Sequence, residues 1–97
     1  MKPIKDIQLY NDLQAVEALL IEEGWCKHTT RDSEGQRCLR GAIDAVTYGT
    51  TTRSMSRWIN IQSALGTHLL ATWNDLPGTT FDDVLAKLRA ARAALVE

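Results

Sequence analysis

A chain of 97 residues, 44% hydrophobic and 24% charged, has the composition of one soluble globular domain. No apolar run reaches the roughly 18 residues of a membrane span, and a formal net charge of −1 excludes a global attraction to nucleic acid. Residues 1–6 lack the apolar core of a signal peptide. We therefore expect a single domain over residues 1–97, located in the cytoplasm, whose two cysteines are free thiols.

The charge is distributed unevenly along the chain. Residues 1–24 carry two basic and five acidic side chains, residues 25–60 carry six and three, and residues 61–97 carry three and four. The middle third is therefore mildly basic. Such a bias is either an ordinary solvated, salt-bridged surface or the mark of a contact with a partner.

The first predicted elements are a helix and an arm. The spacing of apolar residues predicts a helix over residues 12–23, with Asn11 as its N-cap. The β-compatible residues 25–30, followed by turn residues at 32–35, predict a short extended arm or a two-stranded hairpin. Because an isolated hairpin is marginal in water, we expect this segment to pack on the helices through Trp25.

A second helix is predicted over residues 37–47. Cys38 falls on its apolar face, where a free cysteine behaves as a small buried hydrophobe, so we predict that Cys38 is buried and unreactive. Gly41 costs about 1 kcal/mol relative to alanine inside a helix. Since Gly41, Ala42 and Ala45 are all small, we expect another element to cross this helix closely.

Two further helices complete the predicted fold. Apolar periodicity predicts a third helix over residues 54–70, then a loop over 72–79 and a fourth helix over 81–95. Thr80 and Asp83 form a variant of the capping box at the start of the fourth helix. The predicted fold is mainly α, a compact bundle of about four helices with a short extended arm or hairpin between the first two.

The triplet Trp73-Asn74-Asp75, which precedes a Pro-Gly pair, is the sharpest local feature. In a functional interpretation, Asn74 and Asp75 are exposed on a rigid loop and bind a ligand or partner. In a structural interpretation, Trp73 fills the core and the two polar side chains bond backbone groups of the following turn. The residue types favour the second, so we predict that Trp73 is buried and that Asp75 accepts backbone hydrogen bonds within its own loop.

Three landmarks follow one another along the chain: G-W at residues 24–25, C-L-R-G-A-I at 38–43 and W-N-D-L-P-G-T at 73–79. They resemble a family of small domains without an assigned function, found in actinobacteria, related bacteria and their phages. The resemblance covers about residues 12–95. It implies a shared architecture and a phage-associated setting, and it carries over no catalytic residues.

Two chemical sites can be drawn from the polar residues. Cys26, His28, Cys38 and His68 suggest zinc, and either cysteine with a histidine and Asp75 suggests a nucleophilic set. Structural zinc favours ligand pairs with roughly two to five residues between them, whereas Cys26 and His28 have one residue between them and Cys38 and His68 stand alone. No local signature of a catalytic cysteine surrounds either thiol. We therefore expect no metal, no cofactor and no enzymatic activity.

The remaining hypothesis is a small protein-interaction module. With the phage setting that the resemblance implies, it would be a phage-encoded regulator or inhibitor of a host system, such as an anti-CRISPR protein. The contact is expected on the basic arm and second helix, with the acidic first helix as the alternative. The predicted partner-binding residues are Lys27, His28, Arg31, Arg37 and Arg40.

Two other classes of function stay open as hypotheses. One is a small cysteine-dependent enzyme, and the other is a nucleic-acid-binding accessory protein, which would usually show a stronger basic footprint. We expect the partner to be another protein. Self-association is open, and no membrane contact is expected.

Overall fold

The computed structural model describes residues 3–48, 55–67 and 69–97, and five helices lie in these parts of the chain. This confirms the prediction of a mainly α, compact bundle of about four helices, to which the structure adds one short helix. His68, considered above as a ligand or catalytic residue, lies outside the described residues. The helices are α1 (Ile7–Glu23), α2 (Leu39–Tyr48), α3 (Met55–Leu65), α4 (Leu70–Asp75) and α5 (Phe81–Ala93).

Helix α1 begins at Ile7, earlier than predicted. Asp6 is the N-cap residue, with an extended backbone, and its Oδ1 accepts a hydrogen bond from the backbone N–H of Leu9 at 3.0 Å. Asn11 therefore lies within the helix and not at its cap. Gly24 follows the helix with a φ of 93°, a backbone conformation that favours glycine.

The core lies where α1, α2, α3 and α5 meet. Each large aliphatic side chain removed from water there contributes about 1.5–3 kcal/mol to the hydrophobic term. Cys38 is 4% exposed, which confirms the prediction that it is buried. The core cluster consists of Leu13, Val16, Leu20, Leu39, Ala42, Ile43, Ile61, Leu65, Leu70, Val84, Leu88 and Ala91.

The predicted third helix divides into two. Helix α3 ends at Leu65, and Gly66 follows with a φ of 77°, which interrupts the helical path. The six-residue helix α4 then occupies part of the segment that was predicted to be a loop. Trp73 lies on α4 and is half-buried, not buried as predicted: its ring packs against the core while the ammonium of Lys87 lies 4.7 Å from the ring centroid.

Helix α5 begins with the predicted capping box. The Thr80 hydroxyl accepts from the backbone N–H of Asp83 at 3.2 Å, and the Asp83 carboxylate accepts from the backbone N–H of Thr80 at 2.9 Å. This reciprocal pair satisfies two donors at the start of the helix. Across the described parts of the chain, no helix is both long and apolar enough to span a membrane.

Candidate functional site

The arm, residues 24–38, carries four of the five predicted partner-binding residues. Isolated backbone bridges hold it together, and no hairpin ladder forms: Arg37 pairs with Trp25 in parallel and with Arg31 in antiparallel orientation. Two backbone hydrogen bonds of 3.0 and 3.1 Å flank the parallel bridge. Two positions of the arm, Trp25 and Arg31, therefore pair with the backbone of Arg37. So short a set of bridges needs support from the helices.

Asn74 supplies that support. Its side chain is fully buried, and its Oδ1 accepts from Trp25 Nε1 at 2.6 Å and from the backbone N–H of Leu39 at 3.0 Å. Its Nδ2 donates to the Cys26 carbonyl at 3.1 Å and to Asp75 Oδ1 at 2.9 Å. One amide therefore joins the arm to α4 and satisfies the first backbone donor of α2, which has no partner within the helix.

Asp75 also bonds the arm, so the prediction that it bonds within its own loop is wrong. Its Oδ1 accepts from the backbone N–H of His28 at 2.8 Å. His28 has a φ of 71°, which is uncommon for a residue other than glycine. The His28 N–H and the Asn74 side chain hold the pKa of the Asp75 carboxyl below its usual value. Asn74 and Asp75 are therefore structural, but their partners on the arm and at the start of α2 lie 35 to 49 residues away.

Lys27 and His28, the first two predicted partner-binding residues, lie beside the end of α4. Lys27 Nζ donates to the Leu76 carbonyl at 2.6 Å, so its charge is engaged within the chain. The imidazole of His28 is 76% exposed, with Nδ1 4.0 Å from Asp75 Oδ2. Of the two, His28 offers the more accessible polar group.

Arg31 and Arg37 both approach Glu23 at the end of α1. Arg37 Nε donates to Glu23 Oε2 at 2.6 Å, and Arg31 Nη2 lies 3.9 Å from Oε1. The Arg37 side chain is 19% exposed, whereas that of Arg31 is 55% exposed. Arg37 is therefore a clamp between the arm and α1, and Arg31 keeps a guanidinium that a partner can reach.

Acid should weaken this clamp. The Arg37 hydrogen bond lowers the pKa of Glu23 below its ordinary 4.5, so the pair stabilises the fold above that pH and is lost as pH falls through the folded-state pKa. We expect the difference in unfolding free energy between the wild type and Glu23→Gln to be present at neutral pH and to vanish in acid. The exposed neighbour gives a control, Glu22→Gln. A Glu23→Gln difference that stays constant with pH would contradict the clamp.

The arm crosses α2 at Gly41, which confirms the close crossing predicted from the small residues. A Cβ added to Gly41 would lie 2.1 Å from the carbonyl oxygen of Thr30. Beside this contact an open groove of about 450 Å³ separates the arm from α2. The groove is lined by Thr30, Arg31, Arg37, Gly41, Asp44, Ala45 and Tyr48.

A second open cleft, of about 400 Å³, lies between α2 and α3. Trp58 Nε1 donates to Asp44 Oδ1 at 2.7 Å across it, and Met55 at its edge is 53% exposed. Arg40, the fifth predicted residue, is exposed and lines this cleft. Asp44 and Tyr48 line both openings, so the two form one surface. We call it the α2 face, defined by Arg31, Arg40, Asp44, Tyr48, Met55 and Trp58.

Sequence reasoning missed the apolar half of the α2 face. Trp58 falls on the same helical period as the core residues Ile61 and Leu65, so its spacing alone predicts a core position; its side chain packs against the core and also lines the cleft. A usable signal was present in Met55 and Ile59, which are one helical turn apart off that stripe and are 53% and 50% exposed.

A family model described as a family of unknown function (DUF6197) matches residues 5–94. The chain belongs to this family. The match includes all five helices in full, and it confirms the resemblance to a family of small domains without an assigned function. No curated protein and no solved structure is significantly similar to the chain.

The described residues considered for metal chemistry do not form a metal site. Within residues 3–48, 55–67 and 69–97, no group of three or more His, Cys, Asp or Glu side chains is placed to hold a metal ion. Burial raises the pKa of the Cys38 thiol, and its Sγ accepts from the backbone N–H of Gly41 at 3.3 Å. That Cys38 resists external thiol reagents in the native protein stays a prediction.

Proposed function

We propose that this chain is a small protein-interaction module whose α2 face binds an acidic segment of a protein partner. The observation that carries the proposal is the grouping of Arg40, Tyr48, Met55 and Trp58 on one accessible side of the helix pair α2 and α3. Tryptophan, tyrosine, methionine and arginine are the residue types enriched at protein interfaces. Their arrangement supports a contact surface with an aromatic and apolar centre.

The charges on the α2 face favour an acidic partner. Arg31 is 55% exposed and Arg40 is exposed, so both guanidinium groups can receive carboxylates, with which arginine makes bidentate hydrogen bonds. The carboxylate of the face, Asp44, already accepts the indole N–H of Trp58. An incoming acidic segment with an apolar side chain would therefore match both the charge and the shape of the surface.

We further propose that the chain is a phage-encoded regulator or inhibitor of a host system, such as an anti-CRISPR protein acting in the cytoplasm. The phage-associated setting implied by the sequence landmarks supports it. An inhibitor of this kind would act by covering a surface of its target.

Co-purification with a matched pair of charge reversals tests the class of partner. The tagged wild type should retain one protein in stoichiometric amount after nuclease treatment, and Arg31→Glu should lose most of it. Lys5→Glu is the control, since Lys5 is exposed beside the C-terminal residues and the change in charge is the same. A partner that is released by nuclease would instead support nucleic-acid binding.

A phage plating assay tests the proposed anti-CRISPR role. In a bacterium with active CRISPR immunity, expression of the wild type should raise the plating efficiency of a targeted phage, and Arg31→Glu should restore immunity. Unchanged immunity in strains that carry different CRISPR types would contradict the anti-CRISPR role. It would leave the binding proposal to be decided by co-purification.

A further inference from the structure

We infer that Cys26 and Cys38 are an oxidisable pair, which a peroxide converts into a disulfide across the base of the arm. The inference rests on the geometry of the arm and does not depend on the proposed function. It concerns a modification of the segment that carries Arg31, and so bears on how the α2 face is held in shape.

The parallel bridge between Trp25 and Arg37 fixes the register of the two cysteines. Each cysteine directly follows a bridged residue, and the Cys26 N–H donates to the Arg37 carbonyl at 3.1 Å. Residues in register on paired extended segments lie about 4.8 Å apart and project from the same face. That spacing falls within the roughly 4.4–6.8 Å between the Cα atoms of natural disulfides, so little backbone movement is needed.

The surroundings of the two thiols decide which reacts first. Cys26 is half-buried, with Sγ 3.4 Å from the Gln36 carbonyl oxygen, whereas Cys38 is 4% exposed. Burial is the main cause that raises the pKa of each thiol, and at Cys26 the nearby Asp32 and Cys38 raise it further. Because Cys26 is the more accessible thiol, oxidation should begin there. Because the thiolate is the reactive form, oxidation should accelerate as pH rises.

The reaction balances with one molecule of hydrogen peroxide. The Cys26 thiolate attacks one peroxide oxygen, the O–O bond breaks, and Cys26 sulfenic acid forms while the second oxygen leaves and is protonated to water. The Cys38 thiolate then attacks the sulfenic sulfur, the S–S bond forms and the S–O bond breaks, which releases a second water. The two thiols together lose two electrons and two protons.

The disulfide would join the two ends of the arm covalently, directly before the start of α2. The loop that it closes contains Arg31 and the antiparallel bridge between Arg31 and Arg37. Closing a loop removes conformational entropy from the unfolded chain, so the oxidised protein should melt at a higher temperature than the reduced protein. A thiol reductant should reverse the change.

The test is to treat the purified, reduced protein with hydrogen peroxide at mildly alkaline pH and to analyse it by mass spectrometry. We expect a monomer that has lost the mass of two hydrogen atoms. After the remaining thiols are blocked, trypsin should release residues 6–27 joined to residues 38–40, since cleavage sites flank both segments. Cys26→Ser and Cys38→Ala should each abolish the linked peptide, and a bulky thiol reagent should label Cys26 of the native wild type before Cys38.

The wild type alone is sufficient to overturn the inference. Accumulation of over-oxidised Cys26 beside an intact Cys38 thiol would show that the second cysteine does not reach the first. Disulfide-linked dimers without the internal linked peptide would show the same. Either result would leave the protein-binding proposal unaffected, because the α2 face contains neither cysteine.

Discussion

Replacing Asn74 with leucine should lower the free energy of unfolding by about 3–5 kcal/mol. The substitution keeps the branched shape of the asparagine side chain but replaces the polar atoms of a fully buried group with bulkier methyl groups. The indole N–H of Trp25, the N–H of Leu39 and the carbonyl of Cys26 lose their partner together. Each buried group left without a hydrogen bond costs roughly 1–3 kcal/mol.

Chemical denaturation measures this effect, and the chain offers two comparisons. Asn60→Leu replaces an exposed asparagine on α3 and should change stability by under about 0.5 kcal/mol. Asn74→Asp keeps an acceptor for Trp25 but turns a second oxygen towards the Cys26 carbonyl, so it should also destabilise the fold. Wild-type stability in Asn74→Leu would show that the arm does not depend on this side chain.

Gly41→Ala should destabilise the protein by about 2–3 kcal/mol, although the same change inside most helices stabilises by about 1 kcal/mol. The new Cβ would lie 2.1 Å from the carbonyl oxygen of Thr30 and 2.9 Å from its carbonyl carbon. Both contacts are with backbone atoms, so no side-chain rotation relieves them. The arm must move away from α2.

Thermal unfolding and hydrogen exchange together measure the change at Gly41. Arm amides such as those of Cys26 and Asp32, which bond within the arm, should exchange faster in Gly41→Ala. Gly78→Ala is the control, because a Cβ at Gly78 meets nothing within 4 Å. A Gly41→Ala protein that is more stable than the wild type would show that the arm does not pack on α2 in this way.

The features that the sequence predicted correctly depend on residues close together in the chain. The capping box of α5 involves Thr80 and Asp83, three residues apart, and the apolar face of α2, which begins directly after Cys38, follows from helical periodicity. Helix α4 was missed because six residues are too few to show a period. The hydrogen bond of Asn74 to Trp25 joins residues 49 positions apart, which no local pattern reveals.

The candidate site was predicted in part for the same reason. Composition located the basic residues, and the structure places Arg31 and Arg40 on one surface. Composition could not show that Glu23 bonds Arg37 or that the Leu76 carbonyl bonds Lys27, since both contacts depend on how the arm folds. The apolar part of the surface was hidden because Trp58 shares its helical face with core residues.

If the α2 face binds an acidic protein segment, reversing the charge of Arg40 should weaken that binding. The most direct measurement is the dissociation constant of the co-purified partner for the wild type, for Arg40→Glu and for Lys5→Glu, by calorimetry at two salt concentrations. Arg40→Glu should weaken binding by at least about 2 kcal/mol, roughly thirtyfold, because it places a carboxylate opposite acidic groups at the centre of the contact. Lys5→Glu should bind as the wild type does, with the wild-type affinity higher at low salt. Equal affinities for all three proteins would contradict the claim and move the contact away from the α2 face.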